Sequence, residues 1–191
     1  MAWVFPPEEL QRLVHPRRFR CCPPFKTLRR MGLRKGMDIA EVGCGPGFWT
    51  LPATKIAGSS SKVFASDISP RMLAAAKQRA TNAGTLNIQF KRSRSYKVPF
   101  DSECADFCML HYVLHEVNSP DKLLAEGVRI LRKQGLLSVY EWAKVDSDTG
   151  PPYSARIADS NMRNLFDSVG LKSTYFWMPD PLNYVLVGQK V

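Results

Sequence analysis

Glu41, Gly43, Gly45, Gly47 and Asp67 are the residues whose types and spacing can do chemistry in this chain. They lie in the run MDIAEVGCGPGFWT (37–50) and at the end of the next apolar run, SKVFASD (61–67). A short apolar run ending in an acid, three glycines around Cys44 and Pro46, and a helix-compatible stretch describe strand, loop, helix. Glycine is required where a chain turns tightly and comes close to a ligand, because a Cβ would block the approach. An acid at the tip of the following strand can accept hydrogen bonds from both hydroxyls of a ribose. Together they predict a nucleoside pocket at the carboxyl edge of a parallel sheet. The spacing G-x-G-x-G differs from the dinucleotide pattern G-x-G-x-x-G, and Glu41 stands two residues before the first glycine. A carboxylate there is poorly placed for a pyrophosphate and well placed for a nucleoside that carries a cationic group.

The remaining chemistry-bearing residues gather in the second half. Cys104, Cys108, His111 and His115 have metal-ligand types, but Ala105 to Leu110 reads as a strand. On a strand, ligands four apart are separated by about 13 Å and cannot share one tetrahedral ion, so no metal is expected. His111, His115, Glu116, Glu141 and Tyr153 are candidate bases or acceptor contacts. Scaffolding readings stand beside these: His115-Glu116 could cap the turn after the strand, and Glu141 could be a solvated strand end.

The elements that must position these groups alternate. Strands are expected at Met37–Val42, Lys62–Ser66, Leu86–Phe90, Ala105–Leu110 and Leu136–Tyr140. Helices are expected from Pro24 to Met31, from near Pro46, from Pro70 after the cap Ser69, from Pro120, and from Asp159 to Val169. In the helix after Ser69, Met72, Leu73, Ala76 and Ala80 make an apolar stripe; Leu123, Leu124, Gly127 and Leu131 make another. Leu171–Trp177 and Asn183–Gln189, separated by PDP, predict a closing antiparallel hairpin. Neither a repeat nor a second domain is evident. The expected organisation is one domain over 1–191, with a basic arm and short helix at 1–34 and a cofactor-binding core at 35–191.

Up to this point the chain resembles the class I S-adenosylmethionine-dependent methyltransferases. The likeness continues from Val98 to Trp142, which is similar to the small ubiquinone/menaquinone-biosynthesis type: Pro99-Phe100, a strand, a His-containing turn, then Arg129, Leu131, Arg132 and Gly135. The resemblance implies an α/β Rossmann-like fold, a mostly parallel seven-stranded sheet with a closing antiparallel hairpin and helices on both faces. It implies S-adenosylmethionine as cofactor, with Glu41, Gly43, Cys44, Gly45 and Gly47 around the methionine part and Asp67 on the ribose. Ile68 and Met72 would flank the adenine, and Leu110 and His111 would lie beside the methyl donor, with His111, His115 and Glu141 as catalytic candidates. Where the family usually has Gly-Asp-Ala, this chain has Ser93-Arg94-Ser95. Arginine offers no acceptor for the adenine amino group, so either Ser93, Ser95 or a backbone carbonyl takes over or cofactor affinity is reduced. HPRRF (15–19) and the final NYVLVGQK resemble compact prokaryotic methyltransferases in which the arm folds over the cofactor as a lid.

Composition sets the limits. The chain has 191 residues, a hydrophobic fraction of 45% and a net charge of +10. Nine lysines and arginines against Glu8 and Glu9 make residues 1–36 strongly basic. That charge serves either solubility or an anionic partner, RNA included. Five cysteines, with Cys21 and Cys22 adjacent, argue against a disulfide framework and for the cytoplasm. No run has the length of a membrane span, and MAWVFPPEEL lacks the form of a secretory signal. Three functions follow as expectations: methyl transfer to a small or medium-sized acceptor, RNA or ribosome methylation, and a non-catalytic cofactor-binding module. The arm, with Trp3, Phe5, Leu10, Leu13, Val14 and Phe19, is expected to cover the cleft, kept extended by prolines 6, 7 and 16.

Overall fold

In a computed structural model, residues 5–191 are described; Trp3 of the predicted lid lies outside them. Seven strands form one sheet: β1 (Ile39–Val42), β2 (Val63–Asp67), β3 (Ile88–Arg92), β4 (Ala105–His111), β5 (Leu131–Trp142), β6 (Leu171–Asp180) and β7 (Asn183–Lys190). Their order is β3-β2-β1-β4-β5-β7-β6; β1 to β5 run parallel, and β7 is antiparallel to both β5 and β6. The predicted fold class is therefore the one observed. From β1 the chain adds β2 and β3 on one side and β4 on the other. That reversal leaves a crevice at the carboxyl ends of β1 and β4.

The helices are α1 (Leu10–Leu13), α2 (Pro16–Cys21), α3 (Pro24–Arg30), α4 (Thr50–Ala57), α5 (Pro70–Asn82), α6 (Pro120–Ile130) and α7 (Asp159–Ser168). Strand alternation divides the core in two. Ala40, Val42, Cys108, Leu110, Leu137 and Val139 face Leu123 and Leu124 of α6 and Met162 and Phe166 of α7. Ile39, Phe107, Met109 and Tyr140 face Leu28 of α3, Trp49 just before α4, and Ala53 of α4. Gly127 lets α6 come down onto the sheet, since a Cβ there would meet Leu137 Cδ1 at 2.8 Å.

Two arginines that carried the family likeness are scaffolding. Arg132 joins Asp38 at 2.9 Å and Asp106 at 2.8 Å, tying the amino ends of β1 and β4 to β5. Arg129 pairs with Glu126 and donates to the carbonyls of Val98 and Phe100.

Several boundaries differ from expectation. The stripe of α5 is as predicted, with Ser69 Oγ accepting from the Met72 N–H at 3.3 Å. Helix α4 begins at Thr50 rather than near Pro46, because residues 46–49 are spent on turns that follow the glycine loop. Strand β5 starts at Leu131, earlier than expected, and carries a bulge opposite Ala105 and Phe107. The arm is not extended: Pro7 opens a 3-10 turn and Pro16 opens α2, where a missing N–H costs nothing. All five cysteines are free thiols. Among the described residues no helix is long and apolar enough to cross a membrane, and no group of His, Cys, Asp and Glu has metal-binding geometry.

Candidate active site

The crevice above β1 and β4 is a cavity of about 1490 Å³. Drug-sized ligands occupy pockets of about 300–1,000 Å³, so this one has room for two molecules side by side.

One end is acidic. Asp67, at the tip of β2, accepts from the Gly45 N–H through Oδ2 and from the Ser69 N–H through Oδ1, both at 2.8 Å. Each oxygen keeps a lone pair for a ligand hydroxyl. Burial raises its pKa. Glu41, next to last in β1, lies on the face turned toward α4, where Thr50 Oγ1 donates to Oε2. Its carboxyl has no cationic side chain bonded to it among the described residues, and burial pushes its pKa up to about 8. A cationic ligand group is the missing partner for such an acid. Gly45 has φ +51°, and the nearest atom to a Cβ there is Leu13 Cδ1 at 3.8 Å, so a side chain would project into the cavity. Gly43, at φ +77°, would put its Cβ 2.6 Å from Val113 Cγ2. Open space over Gly45, one acid for a cation and one acid with free lone pairs fit the amino acid and ribose parts of S-adenosylmethionine.

The middle and far end are aromatic. Phe48 and Trp49 follow the glycines directly, and Trp49 stacks edge-on to His111 with ring centroids 4.8 Å apart. Tyr112, Tyr140 and Trp142 continue the wall. The arm closes it: Phe5, Pro6, Arg12, Leu13 and Arg18 all reach the cavity, and the Phe5 N–H donates to Glu116 Oε1 at 3.1 Å. Arg18 lies over Phe48 at 4.3 Å and over Tyr112 at 5.3 Å.

Strand alternation sorts the remaining candidates. His111 lies on the α4 face beside Trp49, with Nε2 2.9 Å from Ser138 Oγ; burial, with Arg18 nearby, lowers its pKa to about 3. Glu141 is on the opposite face and is 1% exposed, so it is no solvated strand end. It does not reach the cavity wall; instead Oε1 accepts from the Leu114 N–H at 2.9 Å and Oε2 holds His115 Nδ1 at 2.6 Å. His115 does reach the cavity. Burial draws its pKa down, but the Glu141 carboxylate outweighs that and the net shift is upward. Glu116, also at the wall, is pushed up to about 7 by burial.

Of the predicted cofactor contacts, Glu41, Gly43, Cys44, Gly45, Asp67, Ile68, Met72, Ser93 and Ser95 line the cavity. Gly47 does not: its Cβ position is 3.6 Å from Ala76 Cβ, so it serves the approach of α5. Leu110 points to the other face and is fully buried. Arg94 is exposed and outside the cavity, paired by backbone to Lys97, and Tyr153 is exposed beside Lys144. Arg94→Asp should therefore leave cofactor affinity within about twofold of the wild type, as expected for a solvated charge. A tenfold change in a calorimetric titration would return Arg94 to the site. Sequence reasoning missed Arg18, Trp49, Tyr112 and Tyr140 as wall residues. Only Phe48 and Trp49 offered a signal, as bulky aromatics where the glycine loop ends.

The comparisons decide the family. The methyltransferase domain model matches residues 40–139, just over half of the chain. The chain belongs to the methyltransferase domain family. Its fold is the class I Rossmann-like one, and S-adenosylmethionine is its cofactor. It is 31% identical over 120 residues to the ubiquinone/menaquinone biosynthesis C-methyltransferase of Francisella tularensis, covering 62% of this chain and 48% of that one. It is 35% identical over 112 residues to the demethylmenaquinone methyltransferase of Lactococcus lactis, covering 58% and 44%. This methyltransferase thus spans about half the length of the curated relatives it matches. A solved S-adenosylmethionine-dependent methyltransferase from Aquifex aeolicus superposes with a TM-score of 0.92 at 26% identity, over 98% of this chain and 100% of that one.

The raised acids of this methyltransferase make its stability depend on pH. Glu41 and Glu116 keep protons to about 8 and about 7 in the fold, well above their unfolded values, and His115 keeps its own above 6.5. From pH 6.5 to 8 the folded state therefore binds more protons than the unfolded chain, and stability falls as pH rises. The opposite contribution of His111, whose folded pKa is depressed to about 3 against 6.5 unfolded, is still finishing just above pH 6.5 and offsets only part of the drop. The Tm of the cofactor-free protein should drop across that window, and Glu41→Gln, which cannot titrate, should flatten the drop. Equal slopes for the two proteins would mean that Glu41 is ionised throughout.

Proposed function

We propose that the chain transfers the methyl group of S-adenosylmethionine to a small-molecule acceptor with a quinol-type ring, bound at the aromatic end of the cavity. The observation that carries this reading is the division of one cavity into an acidic, glycine-lined end and an aromatic end. The names of the relatives from Francisella and Lactococcus, both menaquinone-related methyltransferases, support a ring acceptor. Nothing in these comparisons favours RNA, and the basic arm lies along the cavity.

In this reading Asp67 binds the ribose, Glu41 the cationic amino group, and Ile68 and Met72 the adenine. Ile68 is half exposed at the rim, as an adenine platform waiting for its ligand would be. Ser93 and Ser95, which line the cavity, supply the acceptor for the adenine amino group. S-adenosylmethionine supplies a methyl group on a good leaving group, so the protein's tasks are alignment and exclusion of water. Phe5, Pro6 and Leu13 exclude water from above. His115, oriented by Glu141, is the group best placed to handle a proton, since its Nδ1 is fixed and its net charge is sustained by the carboxylate. The organisation is one domain, with residues 1–34 as arm and short helix. Five free thiols, three of them at the cavity, suit a reducing compartment such as the cytoplasm.

Calorimetric titration with S-adenosylmethionine, followed by transfer of labelled methyl to reduced naphthoquinones and benzoquinones, tests the reading. Binding with transfer to at least one such ring is expected. Binding with no transfer to any acceptor class would make the protein a cofactor-binding module.

A further inference from the structure

Two buried polar atoms in the cavity wall have no hydrogen-bond partner: Trp49 Nε1 and His111 Nδ1. Their residues are 3% and 4% exposed, and their rings are 4.8 Å apart between centroids. A buried polar group without a partner is costly, and each such group in a folded protein calls for a reason.

The tautomer of His111 follows from its other nitrogen. Ser138 Oγ lies 3.3 Å from the Cys108 carbonyl and donates to it, since a carbonyl can only accept. A hydroxyl has one proton, so toward His111 Nε2, 2.9 Å away, Ser138 Oγ is the acceptor. Nε2 then carries the hydrogen and Nδ1 presents a bare lone pair. Burial and the Arg18 charge keep this ring neutral, so the lone pair persists throughout the physiological range. Trp49 Nε1 is a donor only. An orphan donor and an orphan acceptor thus stand side by side on one wall.

A single group satisfies both: a hydroxyl, which accepts from the indole N–H and donates to the imidazole lone pair. An ether or a carbonyl could meet only Trp49. Arg18 lines the same cavity and forms no ion pair with any acid among the described residues; one guanidinium N–H is used on the Leu13 carbonyl at 2.9 Å. Its charge favours an oxygen that carries or develops negative charge. Tyr112, only partly buried and 5.3 Å from the Arg18 guanidinium, supplies a flat wall for a ring.

We propose that Trp49 Nε1, His111 Nδ1 and Arg18 form the acceptor-binding subsite, and that it reads one acidic hydroxyl on a planar ring. The proposal rests on the methyl-transfer reading above and adds to it the residues that recognise the acceptor.

The test uses the full chain saturated with S-adenosylhomocysteine, with 1,4-naphthalenediol kept reduced as one probe and 1,4-dimethoxynaphthalene as the other. Calorimetry should show the diol bound at least about tenfold more tightly than the ether, the worth of one or two hydrogen bonds. Trp49→Phe and His111→Phe, which keep a ring in place, should each reduce that preference to about threefold or less. Arg18→Gln should weaken the diol while leaving S-adenosylhomocysteine affinity unchanged. Equal binding of diol and ether by the wild type, or a preference that survives both ring variants, would overturn the proposal. So would an Arg18→Gln protein that loses S-adenosylhomocysteine affinity and keeps the preference, since Arg18 would then serve the cofactor's carboxylate. Failure to bind S-adenosylhomocysteine at all would instead sink the methyl-transfer reading. An independent measurement needs no probe: nitrogen-15 shifts of the His111 ring at neutral pH should show the Nε2–H tautomer, and a protonated Nδ1 would overturn the assignment.

Discussion

Replacing Asp67 with alanine should weaken cofactor binding by between about tenfold and a thousandfold, the worth of two charge-assisted hydrogen bonds to the ribose. The fold explains why no neighbour can stand in. Both carboxylate oxygens already hold backbone N–H groups, Gly45 on one side and Ser69 on the other, so the carboxylate is fixed before the ligand arrives. Glu41 faces the same cavity but is taken up with Thr50 and lies one strand away. Asp67→Ala should also lower the Tm, because the Gly45 and Ser69 N–H groups lose their acceptor. Calorimetry on protein shown by circular dichroism to be folded separates the two effects. An unchanged dissociation constant in folded Asp67→Ala would remove the ribose from this end of the cavity.

The features legible in the sequence are those whose physics is local. A glycine that must adopt positive φ, an acid at a strand tip and a proline after a capping serine each announce themselves within a few residues. The acidic end of the cavity and the stripe of α5 were read for that reason. The aromatic end was not, because its wall is assembled from β4, β5, the α4 entrance and the arm, brought together only by the sheet order. Leu110 and His111 illustrate the point. Adjacent in sequence, both were placed beside the methyl donor, yet strand alternation sends Leu110 into the α6 core and His111 to Trp49. Glu141 and His115 were likewise read as separate candidates, whereas a 2.6 Å contact makes one the orienting partner of the other. Arg94 aligns with the acid usual in the family, but the segment, bridged by backbone from Arg94 to Lys97, leaves Arg94 exposed while the two serines line the cavity.

The arm lines the cavity and is folded rather than extended, and the difference moves the place where it can be cut. Phe19 packs on Phe48 with centroids 4.6 Å apart, and Cys22 is buried in the core beneath α3 and α4. Removing residues 1–22 would therefore damage the core as well as the lid. Removing residues 1–14 leaves α2 with its His15 cap and takes away Phe5 to Val14 and what precedes them. That truncated protein should keep a Tm near the full-length value, bind cofactor more weakly and lose at least about tenfold in kcat, because the cavity is opened to water. Hydrogen exchange in the full chain should show residues 5–14 mobile without ligand and protected when S-adenosylhomocysteine is bound. The contact that latches the arm, the Phe5 N–H on Glu116, adds a sign. Burial raises the Glu116 pKa to about 7, so ionisation above that pH works against the covered carboxyl and protection of the arm should decrease as pH passes 7 once intrinsic exchange rates are divided out. Full activity of the truncated protein, together with equal exchange in both states, would reduce the arm to a basic tail.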